Sequence, residues 1–135
     1  MQQPLWSPSV DAIARSRMNA FRLNVNRHCG VNLDDYHQLH DWSIRERAAF
    51  WQALVDFFAV TFSAPASQVL DEGPAMPDSR WFSGATLNYA AHLLRRHDQQ
   101  PALISVSEAG VREQLSFADL NAHVAGLQRS FDEAG

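Results

Sequence analysis

Lysine is missing from this sequence. All eleven basic residues among the 135 are arginines, so a mechanism that uses an ammonium group to steady charge developing on a transferred acyl phosphate has no candidate here. Cysteine is almost as scarce. Cys29 stands alone, cannot close an internal disulfide, and leaves nothing in the chain that requires an oxidising compartment. The six glycines are scattered singly, so no glycine-rich loop is present to cradle a phosphate in backbone N–H groups. Positive charge is not clustered, and a net charge of −4 argues against nucleic acid or an anionic membrane as a partner. No apolar run approaches the roughly 18 residues of a membrane span, and the opening Met-Gln-Gln-Pro-Leu-Trp has neither the basic nor the apolar region of a leader. A soluble cytoplasmic protein is the expectation.

What is present is enough for one core, or for one core and the beginning of a second. Ser9 is placed to cap a helix whose apolar positions Val10, Ile13, Met18, Phe21 and Val25 hold one stripe, and Gly30 is expected to end it in the left-handed conformation. After a connector at Val31 and Leu33, Asp34 to His40 suggests a brief helix that turns Tyr36 and Leu39 inward. Ser43 with Glu46 three residues later has the form of a capping box. The helix it opens would bury Ala48, Trp51, Leu54, Val55 and Phe58, with Phe50 and Phe57 as a second contact line. Pro65, Gly73, Pro74 and Pro77 make residues 63–79 a long loop, docked at Val69 and Leu70.

Next comes the densest segment, Arg80 to Leu94. Trp81 and Phe82 are paired aromatics set just before Gly84, a bulky anchor followed by a position of close backbone approach. Thr86 is expected to cap a helix carrying Leu87, Ala90, Ala91 and Leu94 on one face. The pattern then changes. Ala102 to Val106 and Val111 to Leu115 suggest two strands around a turn at residues 107–110. Ser116 and Asp119 form another capping box, opening a helix with Leu120, Val124, Leu127 and Phe131 aligned and Gly135 as its final left-handed residue. The expected fold class is α+β, with helices up to His97 and the first strands only after Pro101.

Few residues suggest chemistry. His37 and His40 lie one helical turn apart near His28 and Cys29, but the spacing fits no standard zinc pattern, and surface or capping roles are the better reading. Ser83-Gly84 lacks the Gly-x-Ser-x-Gly context of a hydrolase nucleophile. Asp56, Asp71 and Glu72 have no predictable pairing and read as solvated carboxylates. No catalytic, cofactor-binding or metal-ligating residue is assigned.

The string Trp81-Phe82-x-Gly84-x-x-Leu87-Asn88-Tyr89-Ala90 resembles the N-terminal signature of the short-chain acyl-CoA synthetases, AMP-forming enzymes of the adenylating superfamily. Ala85, Tyr89 and Leu93-Leu94 fit the acetoacetyl-CoA synthetase type better than the acetyl type. Further matches keep the family's order: Leu5-Trp6-Ser7-Pro8-Ser9, Tyr36 to Ser43, Phe50-Trp51 and Met76-Pro77. The resemblance covers nearly the whole chain but only the front of a far longer enzyme. It implies a helical N-terminal region over residues 1–97 and, over 101–135, the incomplete start of an adenylating α/β domain. The implied reaction of the parent joins acetoacetate to CoA with ATP, giving acetoacetyl-CoA, AMP and diphosphate. ATP, Mg and CoA are thus implied for the parent and none for this chain, whose partner would be the remainder of the ligase. Trp81, Phe82, Gly84, Leu87, Asn88 and Tyr89 would serve as framework and docking residues, and the chain alone would be inactive. The alternative is a freestanding helical module that binds another protein through its aromatic surface.

Overall fold

The computed structural model describes residues 5–110 and 112–135. The sequence reading of the first four residues, and of Val111 as a strand residue, therefore lies outside what is described. The architecture is α+β: helices and two small antiparallel sheets. The chain divides into two compact units, Met1–Thr86 and Leu87–Gly135.

The first unit begins with α1 (Val10–Ala14) and α2 (Arg17–Cys29), two helices where the periodicity suggested one. Ser9 caps the first, its Oγ accepting from the Ala12 amide, as the sequence indicates. The stripe breaks at Ser16, whose Oγ donates to the Ile13 carbonyl and accepts from the Asn19 amide, capping α2 afresh. Serine offers the backbone this local alternative to a continuous helix. In consequence Phe21 and Val25 are buried, whereas Val10, Ile13 and Met18 are exposed. Gly30 ends α2 with φ 67°, as expected.

The connector to α3 (Tyr36–Arg45) is held by the Asn26 side chain. Its Oδ1 accepts from the Leu33 amide and its Nδ2 donates to the Leu33 carbonyl, which also accepts from Arg22. The α3 helix is longer than the sequence indicated. Asp35 caps it through the Gln38 amide, and Ser43 lies inside it with Oγ donating to the His40 carbonyl, so the expected Ser43–Glu46 capping box does not form. Leu39 and Trp42 are the residues α3 buries; Tyr36 stays exposed.

A bend at Glu46 leads into α4 (Arg47–Phe57). Its inward face combines the expected second line, Phe50 and Phe57, with Leu54 of the expected first stripe and with Ala53. Phe50, Ala53, Leu54 and Phe57 meet the core of Phe21, Val25, Leu33, Leu39 and Trp42, and Trp51 and Phe58 point outward. A residue-by-residue count of apolar positions could not choose between the two faces, because this helix is apolar on both.

Two strands then precede Pro101, contrary to the expectation of none. β1 (Gln68–Asp71) pairs antiparallel with β2 (Arg80–Ser83), with Leu70 opposite Trp81, and a 3₁₀ turn at Met76–Asp78 lies between them. The prolines that suggested a structureless loop all fall outside the two strands, where they cost no ladder hydrogen bond.

The second unit opens with α5 (Tyr89–Leu93), capped by Asn88 through the Ala91 amide and not by Thr86. The helix is short, and Leu87 and Leu94 lie outside it. β3 (Pro101–Val106) and β4 (Arg112–Ser116) form the expected hairpin, followed by α6 (Phe117–Ala134). Ser116 Oγ accepts from the Asp119 amide and donates to its carboxylate, so this capping box is realised. Among the described residues of this unit, no apolar side chain is buried; Leu103, Ile104, Val106, Leu127 and Phe131 are exposed.

Candidate functional site

The strongest candidate is an aromatic path leading from the core of the first unit to its surface. Phe21 lies edge-on to Phe57 and Phe50, with ring centroids 5.3 and 5.9 Å away. Phe50 meets buried Trp42 at 6.3 Å and Trp51 at 5.6 Å. Trp51 then meets Trp81 at 5.7 Å, the planes inclined by 61°. The last two rings are 45% and 41% exposed. Edge-to-face pairs of this kind place the positive rim of one ring on the negative face of the next and contribute about 0.5–1.5 kcal/mol beyond burial. The path therefore delivers two rigid, half-wet tryptophans to the surface.

Local structure fixes where they stand. α4 carries Trp51 on its outer face, and the β1–β2 pairing sets Trp81 beside it. An ion pair between Arg47 and Glu72, 2.6 Å apart, connects the first turn of α4 to the residue just after β1. Gly73 then fits tightly against the 3₁₀ turn, since a Cβ there would lie 2.6 Å from the Asp78 carbonyl carbon.

The segment after Trp81 is bent sharply. Phe82 has φ 49°, a left-handed value rare outside glycine, and its ring is 5.7 Å from Phe62. Gly84 takes φ 81°, and the Ala85 amide donates to the Phe82 carbonyl, closing a tight turn. Thr86 pairs with Ala64: its amide donates to the Ala64 carbonyl and its carbonyl accepts from Ser63. Ser83 Oγ is buried without a hydrogen-bond partner.

The six signature residues divide between the two units. Trp81, Phe82 and Gly84 belong to the first unit, and Leu87, Asn88 and Tyr89 to the second. Leu87 and Tyr89 are exposed, while Asn88 serves as a helix cap. Sequence reasoning missed Trp51 as the partner of Trp81, having assigned it to the buried stripe. Its flank of Phe50 and Phe57 was the available signal.

Among the described residues, no three His, Cys, Asp or Glu side chains converge on a point that could hold a metal ion. His37 and His40 both lie near the Tyr36 ring, and Cys29 is exposed. Asp98 is held below the ordinary carboxylate value, chiefly by the Arg96 guanidinium and then by the Gln100 amide. Among the described residues no helix is long and apolar enough to cross a membrane.

Comparison with known proteins gives this geometry a context. A family described as acetyl-coenzyme A synthetase N-terminus matches residues 36–93. The chain is 35% identical over 134 residues to acetoacetyl-coenzyme A synthetase of Rhizobium meliloti (strain 1021), covering 99% of this chain and 20% of that protein. It is 37% identical to malonamoyl-CoA synthetase vrtB of Penicillium aethiopicum, covering 94% of this chain and 18% of that protein. Among solved structures, acetoacetyl-CoA synthetase from Streptomyces lividans superposes with a TM-score of 0.86 at 39% identity, covering 99% of this chain and 21% of that one. The chain thus spans about a fifth of the length of the relatives it matches.

Proposed function

We infer that this chain, an N-terminal region of the acetoacetyl-CoA synthetase kind, is the framework part of an AMP-forming acid-CoA ligase. The reaction we assign to the whole ligase joins acetoacetate to CoA with ATP, releasing AMP and diphosphate. The observation that carries this reading is the Streptomyces lividans match, which follows the backbone over 99% of this chain at 39% identity. In the proposal ATP, Mg and CoA are bound by the part of the ligase outside these residues. Here the missing lysine and the singly scattered glycines are consistent with a framework role. A cytoplasmic location goes with this reading, since the lone cysteine needs no oxidising compartment.

Within the ligase, Trp81, Phe82, Gly84, Leu87, Asn88 and Tyr89 act as framework and docking residues, joined by Trp51. Residues 101–135 form the start of the adenylating domain. Their hairpin has only two strands, and their unit has no buried apolar side chain among the described residues, which suits a domain completed by further chain. The choice of acid is made elsewhere. This region is as similar to a malonamoyl-CoA synthetase as to an acetoacetyl-CoA synthetase.

The test is a chimera in which this chain replaces the matching fifth of the Streptomyces lividans enzyme. The chimera is expected to catalyse ATP–pyrophosphate exchange with acetoacetate, and the 135-residue chain alone to catalyse none. Exchange by the purified chain alone would overturn the framework role. A folded, soluble chimera without activity would overturn the assignment to this ligase.

A further inference from the structure

A second apolar surface lies on the first unit, away from the tryptophan pair. α1, the start of α2 and the start of α3 enclose an open groove of about 800 Å³, walled by Pro8, Val10, Ile13, Met18 and Tyr36, with buried Leu39 at its base. Val10 is 85% and Ile13 49% exposed, and α1 buries none of its five residues. A helix so short is marginal in water unless its apolar side is covered.

Three of the polar side chains around the groove are occupied locally. Ser16 bonds the Ile13 carbonyl and the Asn19 amide, Arg22 bonds Asn19 Oδ1 and the Leu33 carbonyl, and Asp35 accepts from Gln38. What is left for an incoming group is chiefly apolar side-chain surface, which suits aliphatic or aromatic residues of a polypeptide and not an anion or a nucleotide.

We propose that this groove seats an apolar segment of the ligase chain lying outside these 135 residues. The proposal rests on the framework reading above. Its occupant follows from length: about four-fifths of the Streptomyces lividans relative lies beyond the matched region, since this chain covers 21% of it. A second copy of this chain, the other occupant of suitable chemistry, is separated by the test.

Ile13→Cys is introduced into the chain alone and into the Streptomyces lividans chimera, and its rate of maleimide labelling is read by peptide mass spectrometry. At least tenfold slower labelling in the chimera is expected, with fast labelling of the chain alone at every concentration. Equal rates overturn the proposal. So does protection that grows with the concentration of the chain alone, which assigns the groove to a second copy. Ile13→Glu gives an independent reading: it should lower the chimera's denaturation midpoint and leave that of the chain unchanged, and equal shifts in both overturn the proposal. Ligase activity of the chimera without either substitution is measured separately. An inactive chimera with a protected Cys at position 13 therefore counts against the assigned reaction and not against the groove.

Discussion

Trp51 and Trp81 face each other edge to face, 5.7 Å between centroids, although thirty residues separate them and neither is buried. Aromatic surface of that size normally ends up inside a protein or against a partner. Here the α4 helix and the β1–β2 hairpin each place a tryptophan on the same outer patch, and the half-exposed Arg47–Glu72 pair links the two elements.

Trp81→Ala measures how much of that patch is internal packing. A fully buried ring would cost about 3–5 kcal/mol on truncation. With 41% of Trp81 already exposed, the loss in this chain is expected to be about 1–2 kcal/mol, mostly the Trp51 contact. In the Streptomyces lividans chimera the loss should approach the buried range. Denaturant titration of both pairs decides, and equal losses would leave Trp81 a residue of the local hairpin without a docking role.

The turn after α4 carries a correctable strain. Ala59 has φ 49°, its amide donates to Asp56, and the Val60 amide donates to Val55. Those two bonds are the Schellman pattern, in which the left-handed residue is usually glycine because a Cβ there crowds the backbone. Ala59→Gly is expected to stabilise the chain by about 0.5–1 kcal/mol, with the unfolded state's greater freedom offsetting part of the relief. A lower thermal midpoint for the variant would contradict this.

Gly73 is the opposite case. A Cβ there meets the Asp78 side chain and backbone, and backbone cannot rotate out of the way as a side-chain tip can. Gly73→Ala should destabilise by about 1–3 kcal/mol, the range of overpacked sites. Because the overlap falls on the 3₁₀ turn between β1 and β2, amide exchange in Arg80–Ser83 should speed up before that in α2.

Part of this was readable beforehand, and the misses are of two kinds: caps that fell on neighbouring residues, at Ser16, Asp35 and Asn88, and pairings that depend on tertiary packing. Ser9, Gly30, Ser116 and Gly135 acted as the sequence indicated, because a cap or a left-handed terminus is decided by neighbours within four residues. The β3–β4 hairpin was legible for the same reason. The β1–β2 hairpin was not, since its partners are joined across a proline-containing segment and their pairing depends on packing against α4. The outward turn of Trp51 was lost likewise: a helix with apolar residues on two faces states that it is covered but not which side faces Phe21. Of the site, the signature supplied Trp81 and Phe82, while their partners Trp51 and Phe62 come from the fold.

The N-terminus of α6 is anchored by a charge cluster that reports on pH. Arg96 donates from Nε and NH2 to the two Asp98 oxygens at 2.9 Å, and the Gln100 amide donates to Oδ1. The Ala118 amide donates to the Asp98 carbonyl, and the Arg96 guanidinium lies 4.3 Å from the centroid of the Phe117 ring. These donors favour the ionised carboxylate, so the folded pKa lies below the ordinary value. The contribution is therefore present above the ordinary aspartate pKa, near 4, and fades as pH falls through the lower folded value. Carboxyl NMR titration should find Asp98 below an unperturbed aspartate, and Arg96→Gln should return it upward. An unchanged midpoint in that variant would assign the shift to the Gln100 amide alone.

Phe82 gives the sharpest expectation, because two effects at one residue oppose each other. Its backbone is left-handed at φ 49°, which costs a non-glycine residue about 1–2 kcal/mol, while its ring gains contact with Phe62. Phe82→Ala removes the ring and keeps the strain. Phe82→Gly removes both. In an ordinary strand glycine is the worse replacement, for lack of a side chain and for the entropy it must lose. At this position the order should invert, with the glycine variant more stable than the alanine variant by about 1 kcal/mol. Urea midpoints of the two variants and the parent test it. Alanine equal to or better than glycine would mean that the bend at Phe82 relaxes once the ring is gone, and that the ring itself, not the Gly84 turn, holds the backbone in its left-handed state.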